Sequence, residues 1–403
     1  MSQRRVSGIC YSLLGSRVSI LQVTSPQSLR QAPPPVTRRG RVAELDGIRA
    51  LAILLVLGDH LIVGQTIARP VFARLPAPIL FVLGHGWMGV DLFFVLSGFL
   101  ITGILLDTRG TPHYFKNFYA RRVLRIFPLY FLTVGILALF YRNCAAYFWA
   151  CVLFLGNFSI PGIVIPDGAA VFWSLAIEEQ FYLVWPALVR FSSRRGITLT
   201  ALALVLISPA LRVWATHNGV PYDHIYGYTW YRCDSLAIGA LMAVWVRSQW
   251  NTRRNSLRLS YGLLGLAIAI TIGGIPFGIM DRSSVFRYTQ GQLVFTAMLL
   301  GAVTLADTKA TAWLRIAPMV AIGELSYCLY LTHLGIQDFC FKVIGPLVVS
   351  KFGGRTTAYV VALSAVWLAA SFLVAILSRR YFENPILALK KKFEYRPKAA
   401  AAS

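Results

Sequence analysis

The sequence predicts an all-α polytopic membrane protein, and three observations carry that prediction. Of 403 residues, 57% are hydrophobic and 14% are charged, whereas a soluble domain carries about 25% charged residues. Apolar runs recur from Leu45 onward, each long enough for the roughly 20 residues needed to cross ~30 Å of hydrocarbon. The basic residues gather at the ends of those runs: 39 Lys and Arg stand against 16 Asp and Glu, a formal charge of +23. That is the positive-inside pattern of a membrane chain. Disordered, collagen-like, disulfide-scaffold and cytosolic classes are excluded. The lipid bilayer is the expected partner and nucleic acid is not, since no basic stripe interleaves with exposed aromatics. The six cysteines form no CxxC pair and no His-rich spacing, so no metal site is expected.

Taken in order, residues 1–44 are rich in Ser, Gln, Pro and Arg and read as a disordered basic cytoplasmic tail. Arg38, Arg39 and Arg41 stand just before the first apolar run. Spans are predicted at 46–67, 78–106, 123–142, 171–191, 197–216, 230–248, 259–280, 289–306, 316–342 and 357–378. The piece 145–160 is short for a crossing and leads into GNFSIPGIVIPDG, so it is assigned as a re-entrant or interfacial segment. With that assignment the basic loops around Arg121, Arg194, Arg253 and Arg379 all fall on one side. The result is about ten transmembrane helices with both termini cytoplasmic: a membrane domain over 45–385 and a basic cytoplasmic tail over 386–403. No internal repeat of the kind common in secondary transporters is visible.

Ionised side chains at the bilayer centre cost about 2.5–3.5 kcal/mol on insertion scales, which makes each a functional candidate. The first span carries Asp46, Arg49, Asp59 and His60, the second Asp91, and the fourth Glu178 and Glu179. Arg232, Asp234, Glu324 and His333 follow in later spans. Arg49 and His60 are eleven residues apart, which returns them to one helix face within ~20° and separates them by roughly 16 Å along the axis. A neutral imidazole there can accept a proton from a hydroxyl; the alternative is a helix-packing hydrogen bonder above an arginine anchor paired with Asp46. Glu178, Tyr182 and Trp185 share a face at i, i+4, i+7, as do Ser326, Tyr330 and His333. Arg121, Arg122 and Arg125 can hold a phosphorylated ligand through forked hydrogen bonds, or else contact lipid headgroups. Asp91 needs a partner, with Arg or His of the first span as the candidate. Ion-coupled transport, with the buried carboxylates and His60 as a proton relay, is the competing function.

The ordered stretches ELDGIRALAILLVLGDHL, GWMGVDLFFVLSGFLI, ARRVLRIFPLYF, FWSLAIEEQFYLVWP, YRCDSLAIGALMA, GELSYCLYLTHL and YFENP run from about Leu45 to Pro385. Together they resemble the acyltransferase-3 family of integral-membrane O-acyltransferases. The resemblance implies transfer of an acyl group, often acetyl, from cytoplasmic acyl-CoA to a hydroxyl of a carbohydrate or glycoconjugate, at the bacterial inner membrane. It places the family's Arg–His motif on Arg49 and His60. These two, with Glu178 orienting the imidazole or binding acceptor hydroxyls, are the implied catalytic set. Arg121, Arg122 and Arg125 are implied for the acyl-CoA phosphates. Asp91, Trp173, Glu179, Tyr182, Arg232, Asp234, Tyr330 and His333 are implied around the substrate. Asp59 departs from the aromatic residue common at that position in the family, which bears on the local tuning of His60.

Overall fold

A helix begins where the Arg- and Pro-rich segment gives way to AELDGIRALAILLVLGDHLI. In the computed structural model, which describes residues 42–62, 75–159, 162–274, 276, 286–352 and 357–395, this is α1, Ala43–Ile62. Glu44 in its first turn is buried; it accepts the Asp307 N–H at 2.9 Å and pairs with Arg315 at 3.0 Å. The predicted tail boundary therefore moves back: Glu44 is part of the packed helix, and residues 1–41 lie outside the described residues.

The chain continues through α2 (Ala77–Gly84), a 3-10 turn (Gly86–Met88), α3 (Gly89–Thr108), α4 (Tyr114–Phe140) and α5 (Ala145–Val152). After these come α6 (Phe172–Phe191), α7 (Arg194–His217), α8 (Tyr222–Gly227), α9 (Thr229–Val246), α10 (Arg253–Gly274) and α11 (Phe286–Thr304). Then follow α12 (Ala317–Asp338), α13 (Gly345–Phe352), α14 (Thr357–Leu377) and α15 (Asn384–Ala388). No strand occurs among the described residues.

Two sequence expectations change. The predicted span 78–106 is broken at His85, where Gly84, Gly86 and Gly89 fall within six residues. Glycine weakens a helix by about 1 kcal/mol per residue relative to alanine. The arginine-rich stretch expected as a loop is the first half of α4, entered through His113 in the left-handed region at φ 56°. The short piece over 145–160 is as brief as its composition implied: α5 has 8 residues, about 12 Å of helix, too little to cross.

Six helical segments among the described residues are long and apolar enough to cross a membrane, or up to seven counting a pair bent by 105° after Phe286–Thr304. The sequence predicted ten. The shortfall has a physical cause, because α1, α6 and α9, of 20, 20 and 18 residues, carry the charges. Asp46, Arg49 and Asp59 lie on α1, Glu178 and Glu179 on α6, and Arg232 and Asp234 on α9. These helices are protected by packing: α1 lies on α3 and α12, α9 on α3 and α7, and α6 on α3. The α3–α9 crossing is close at Gly98 and Gly239, where an added Cβ would run into the backbone carbonyls of Leu236 and Val95.

The outward faces are apolar. Along α7, Leu199, Leu202, Leu206, Ile207 and Trp214 are all exposed. Such a surface suits hydrocarbon and not water. The chain is a multi-pass membrane protein.

Candidate active site

Two fully buried ion pairs frame the interior. Arg232 on α9 reaches Asp91 on α3 at 2.9 Å, and Arg212 on α7 reaches Asp234 on α9 at 2.8 Å. Ser235 Oγ donates to Asp91 at 2.9 Å and in turn accepts from Gln292 Nε2 at 2.7 Å. Three aromatic rings surround the Arg232 guanidinium: Tyr288 at 4.3 Å, Tyr226 at 5.1 Å and Trp173 at 5.5 Å. Paired, hydrogen-bonded and stacked, these charges are tolerable in low dielectric, and they fix α3, α7 and α9 in one arrangement.

One cavity, of about 270 Å³, lies among α1, α3, α4, α6 and α12 and is lined by Arg49, Arg122 and Arg125. Each arginine is held. Arg49 pairs with Asp46 at 2.6 Å and Arg125 with Glu383 at 3.3 Å. The Arg122 guanidinium lies 4.2 Å from the centre of the Tyr182 ring, and its Nε is buried without a hydrogen-bond partner among the described residues. Glu178 lines the same cavity and accepts from Ser97 Oγ at 2.8 Å and from Tyr182 OH at 2.9 Å.

A second cavity, of about 280 Å³, is lined by Asp59, His60, Trp87, Asn157, Trp173, Asp223 and Tyr226. His60 Nδ1 lies 2.8 Å from the Val56 carbonyl. A carbonyl only accepts, so Nδ1 carries a proton, and in the neutral ring Nε2 keeps its lone pair. Gln337 Nε2 donates to the His60 carbonyl at 2.9 Å, tying α12 to this turn of α1. His333 packs edge-on against His60, ring centroids 5.0 Å apart, with its own Nδ1 directed at the Leu329 and Tyr330 carbonyls, 2.9 Å each. Val90 and Tyr330 line both cavities. The Tyr330 hydroxyl shares a hydrogen bond with Ser174 at 2.6 Å. The two spaces thus abut, with arginines lining one and an imidazole lining the other.

The structure brings together Arg49, Arg122, Arg125, Glu178, Tyr182 and Tyr330 in the first cavity, and His60, Trp173 and Tyr330 in the second. It does not bring Glu178 to His60, since the two line different cavities. Arg121 lines neither: its Nη1 donates to the Lys390 and Phe393 carbonyls at 3.4 and 3.5 Å, because the C-terminal segment folds back along α4. Asp91, Arg232 and Asp234 are spent on the buried pairs, and the partner of Asp91 comes from α9 and not from the first span. Glu179 instead faces a groove beside Arg122, Tyr182 and Leu183. Among the described residues His333 does not line the second cavity but packs against two that do, His60 and Tyr330.

Sequence reasoning passed over Arg212, Tyr226 and Asp223. Arg212 carried a usable signal, as a lone arginine inside an apolar span. Tyr226 and Asp223 sit on the six-residue α8, a stretch too short to show a pattern. Among the described residues no group of three or more His, Cys, Asp or Glu could hold a metal ion.

The family profile described as an acyltransferase domain matches residues 42–378. The chain belongs to the acyltransferase-3 family. Among curated proteins it is 28% identical over 378 residues to the peptidoglycan O-acetyltransferase OatA of Listeria monocytogenes, covering 86% of this chain and 56% of the relative. It is 27% identical over 377 residues to the O-acetyltransferase OatA of Staphylococcus aureus, covering 85% and 56%. The chain thus spans about half the length of the curated relatives it matches. No solved structure matches it. The transporter alternative finds no support in these matches.

Proposed function

We propose that this acyltransferase-3 chain is an O-acetyltransferase. It moves the acetyl group of acetyl-CoA, supplied from the cytoplasm, to a hydroxyl of a cell-wall glycan such as peptidoglycan. The observation that carries the proposal is the placing of His60, whose Nδ1 lies 2.8 Å from the Val56 carbonyl in a cavity that abuts one lined by three arginines. The names of the relatives supply the acceptor class.

Arg122, Arg125 and Arg49 line the donor cavity and attract the phosphates of the thioester substrate. His60 Nε2 takes the proton of the acceptor hydroxyl as its oxygen attacks the thioester carbonyl carbon. The carbon–sulfur bond breaks, the imidazolium returns its proton to the departing thiolate, and the products are the acetyl ester and free CoA. The Tyr330 hydroxyl, at the meeting of the two cavities, stands where a donor to the developing oxyanion is useful.

The test is acetyl transfer by the purified full chain in lipid vesicles, from labelled acetyl-CoA to glycan strands. His60→Ala is expected to abolish transfer while melting at the wild-type temperature. Full transfer by that variant defeats the assignment of the base.

A further inference from the structure

The two cavities differ in charge. Arg49, Arg122 and Arg125 line one, whereas among the described residues no Lys or Arg lines the other, which carries Asp59 and Asp223 instead. The His60 cavity thus offers an anionic ligand no lining cation among the described residues, and a neutral, hydroxyl-rich ligand needs none. One part of its wall is aromatic. Trp173 and Tyr226 meet with ring centroids 4.6 Å apart and planes at 52°. Trp87 lies 6.3 Å from Tyr226 and lines the same space.

These rings are held from behind. Arg232, fully buried and paired with Asp91, lies against both Trp173 and Tyr226. The connection that carries Tyr226 is tied by Asn157, whose Nδ2 donates to the Gly227 carbonyl at 3.2 Å and to Thr229 Oγ1 at 3.0 Å. Gln180 on α6 donates to Asn157 Oδ1 at 3.0 Å, which extends the brace to the helix bearing Trp173. The wall is preorganised, so binding need not order it.

We propose that Trp173 and Tyr226, with Asp223 at the rim, form the subsite that holds one pyranose ring of the acceptor beside His60. A pyranose presents a face of C–H bonds, whose positive edge is attracted to the negative face of an aromatic ring. Its hydroxyls point outward in the ring plane, where the exposed Asp223 carboxylate accepts from them. A volume of about 280 Å³ lies just below the ~300–1,000 Å³ range of drug-sized ligand cavities, which suits one sugar ring of a longer strand. The proposal deepens the acetyl-transfer reading by naming the place of its acceptor, and it rests on that reading for the ligand class.

The test is binding, measured without any donor. Saturation-transfer NMR is recorded on the full chain in lipid nanodiscs with soluble glycan fragments released from peptidoglycan. Ring C–H protons are expected to saturate with wild type. Trp173→Ala and Tyr226→Ala are expected to weaken the Kd about tenfold, and Tyr226→Phe, which keeps the ring, to restore it. Asp223→Asn, an exposed change that leaves the packing intact, should weaken binding by about threefold. Equal Kd in wild type, both alanine variants and Asp223→Asn overturns the subsite and leaves the transferase proposal standing. Binding that weakens as expected, in a chain that acetylates no glycan, overturns the transferase and keeps the subsite. No glycan binding by wild type overturns both.

Discussion

On the proposed function, Arg122 is the residue on which donor recognition turns. Unlike Arg49 and Arg125 it forms no salt bridge with a carboxylate among the described residues, and its guanidinium is steadied by the Tyr182 ring at 4.2 Å. Arg122→Ala is expected to raise the KM for acetyl-CoA about tenfold or more with the acceptor KM unchanged. Arg122→Lys should recover little of that loss, since an ammonium neither stacks nor forks as a guanidinium does. Steady-state kinetics in both substrates check this, and a purely acceptor-side effect counts against the assignment. The i, i+4, i+7 face of Ser326, Tyr330 and His333 was legible from spacing, and all three lie against the two cavities or His60. The carboxylates were less legible. Their cost in a membrane marks them as special, but that cost is met equally by an ion pair, as for Asp91, or by two hydroxyls, as for Glu178.

At the level of helices, α3 and α9 are joined by two devices of different kinds. Gly98 and Gly239 let the backbones approach, and Asp91–Arg232 pins the register. Gly98→Val is expected to force the helices apart and lower the melting temperature measured in detergent, because backbone and not a flexible side chain stands in the way. Arg232→Met leaves the Asp91 charge uncompensated, which costs about 3–5 kcal/mol, whereas Asp91→Leu combined with Arg232→Met should recover much of that loss. Urea or thermal unfolding of the single and double variants distinguishes the two; a double variant as unstable as the single overturns the pairing argument. The break at His85 and the helical start of α4 were beyond local sequence. Three glycines weaken a helix without saying whether it breaks, and an arginine-rich stretch reads equally as loop or helix until α4 is seen packed against the C-terminal segment.

Across the whole molecule, the arginine-lined cavity and the His60 cavity sit at different levels of α1, the first near Arg49 and the second near His60, consistent with substrates arriving from opposite sides. The orientation proposed from the basic loops puts the rim of the His60 cavity outside and the Lys390–Lys392 cluster inside. In a cysteine-free background, a cysteine placed at Asp223 should react with an impermeant maleimide added outside sealed cells. One at Lys391 should react only after permeabilisation. Labelling of both from the same side contradicts the proposed orientation.

Composition and order of motifs were enough to specify an all-helical membrane chain and its family; they also singled out Arg49 and His60, which the structure divides between two abutting cavities. These are local or additive properties: hydropathy sums along a run, and a motif is a string. The number of crossings was not so readable, since α1, α6 and α9 hold charges that only packing against other helices makes tolerable. Nor was the division of labour among the buried charges. Whether an arginine lines a cavity like Arg122, caps a carbonyl like Arg121, or neutralises a carboxylate like Arg232 depends on what distant segments bring within 3–4 Å. Ionic and hydrogen-bond energies fall off over that distance, and no spacing along one helix specifies a neighbour contributed by another.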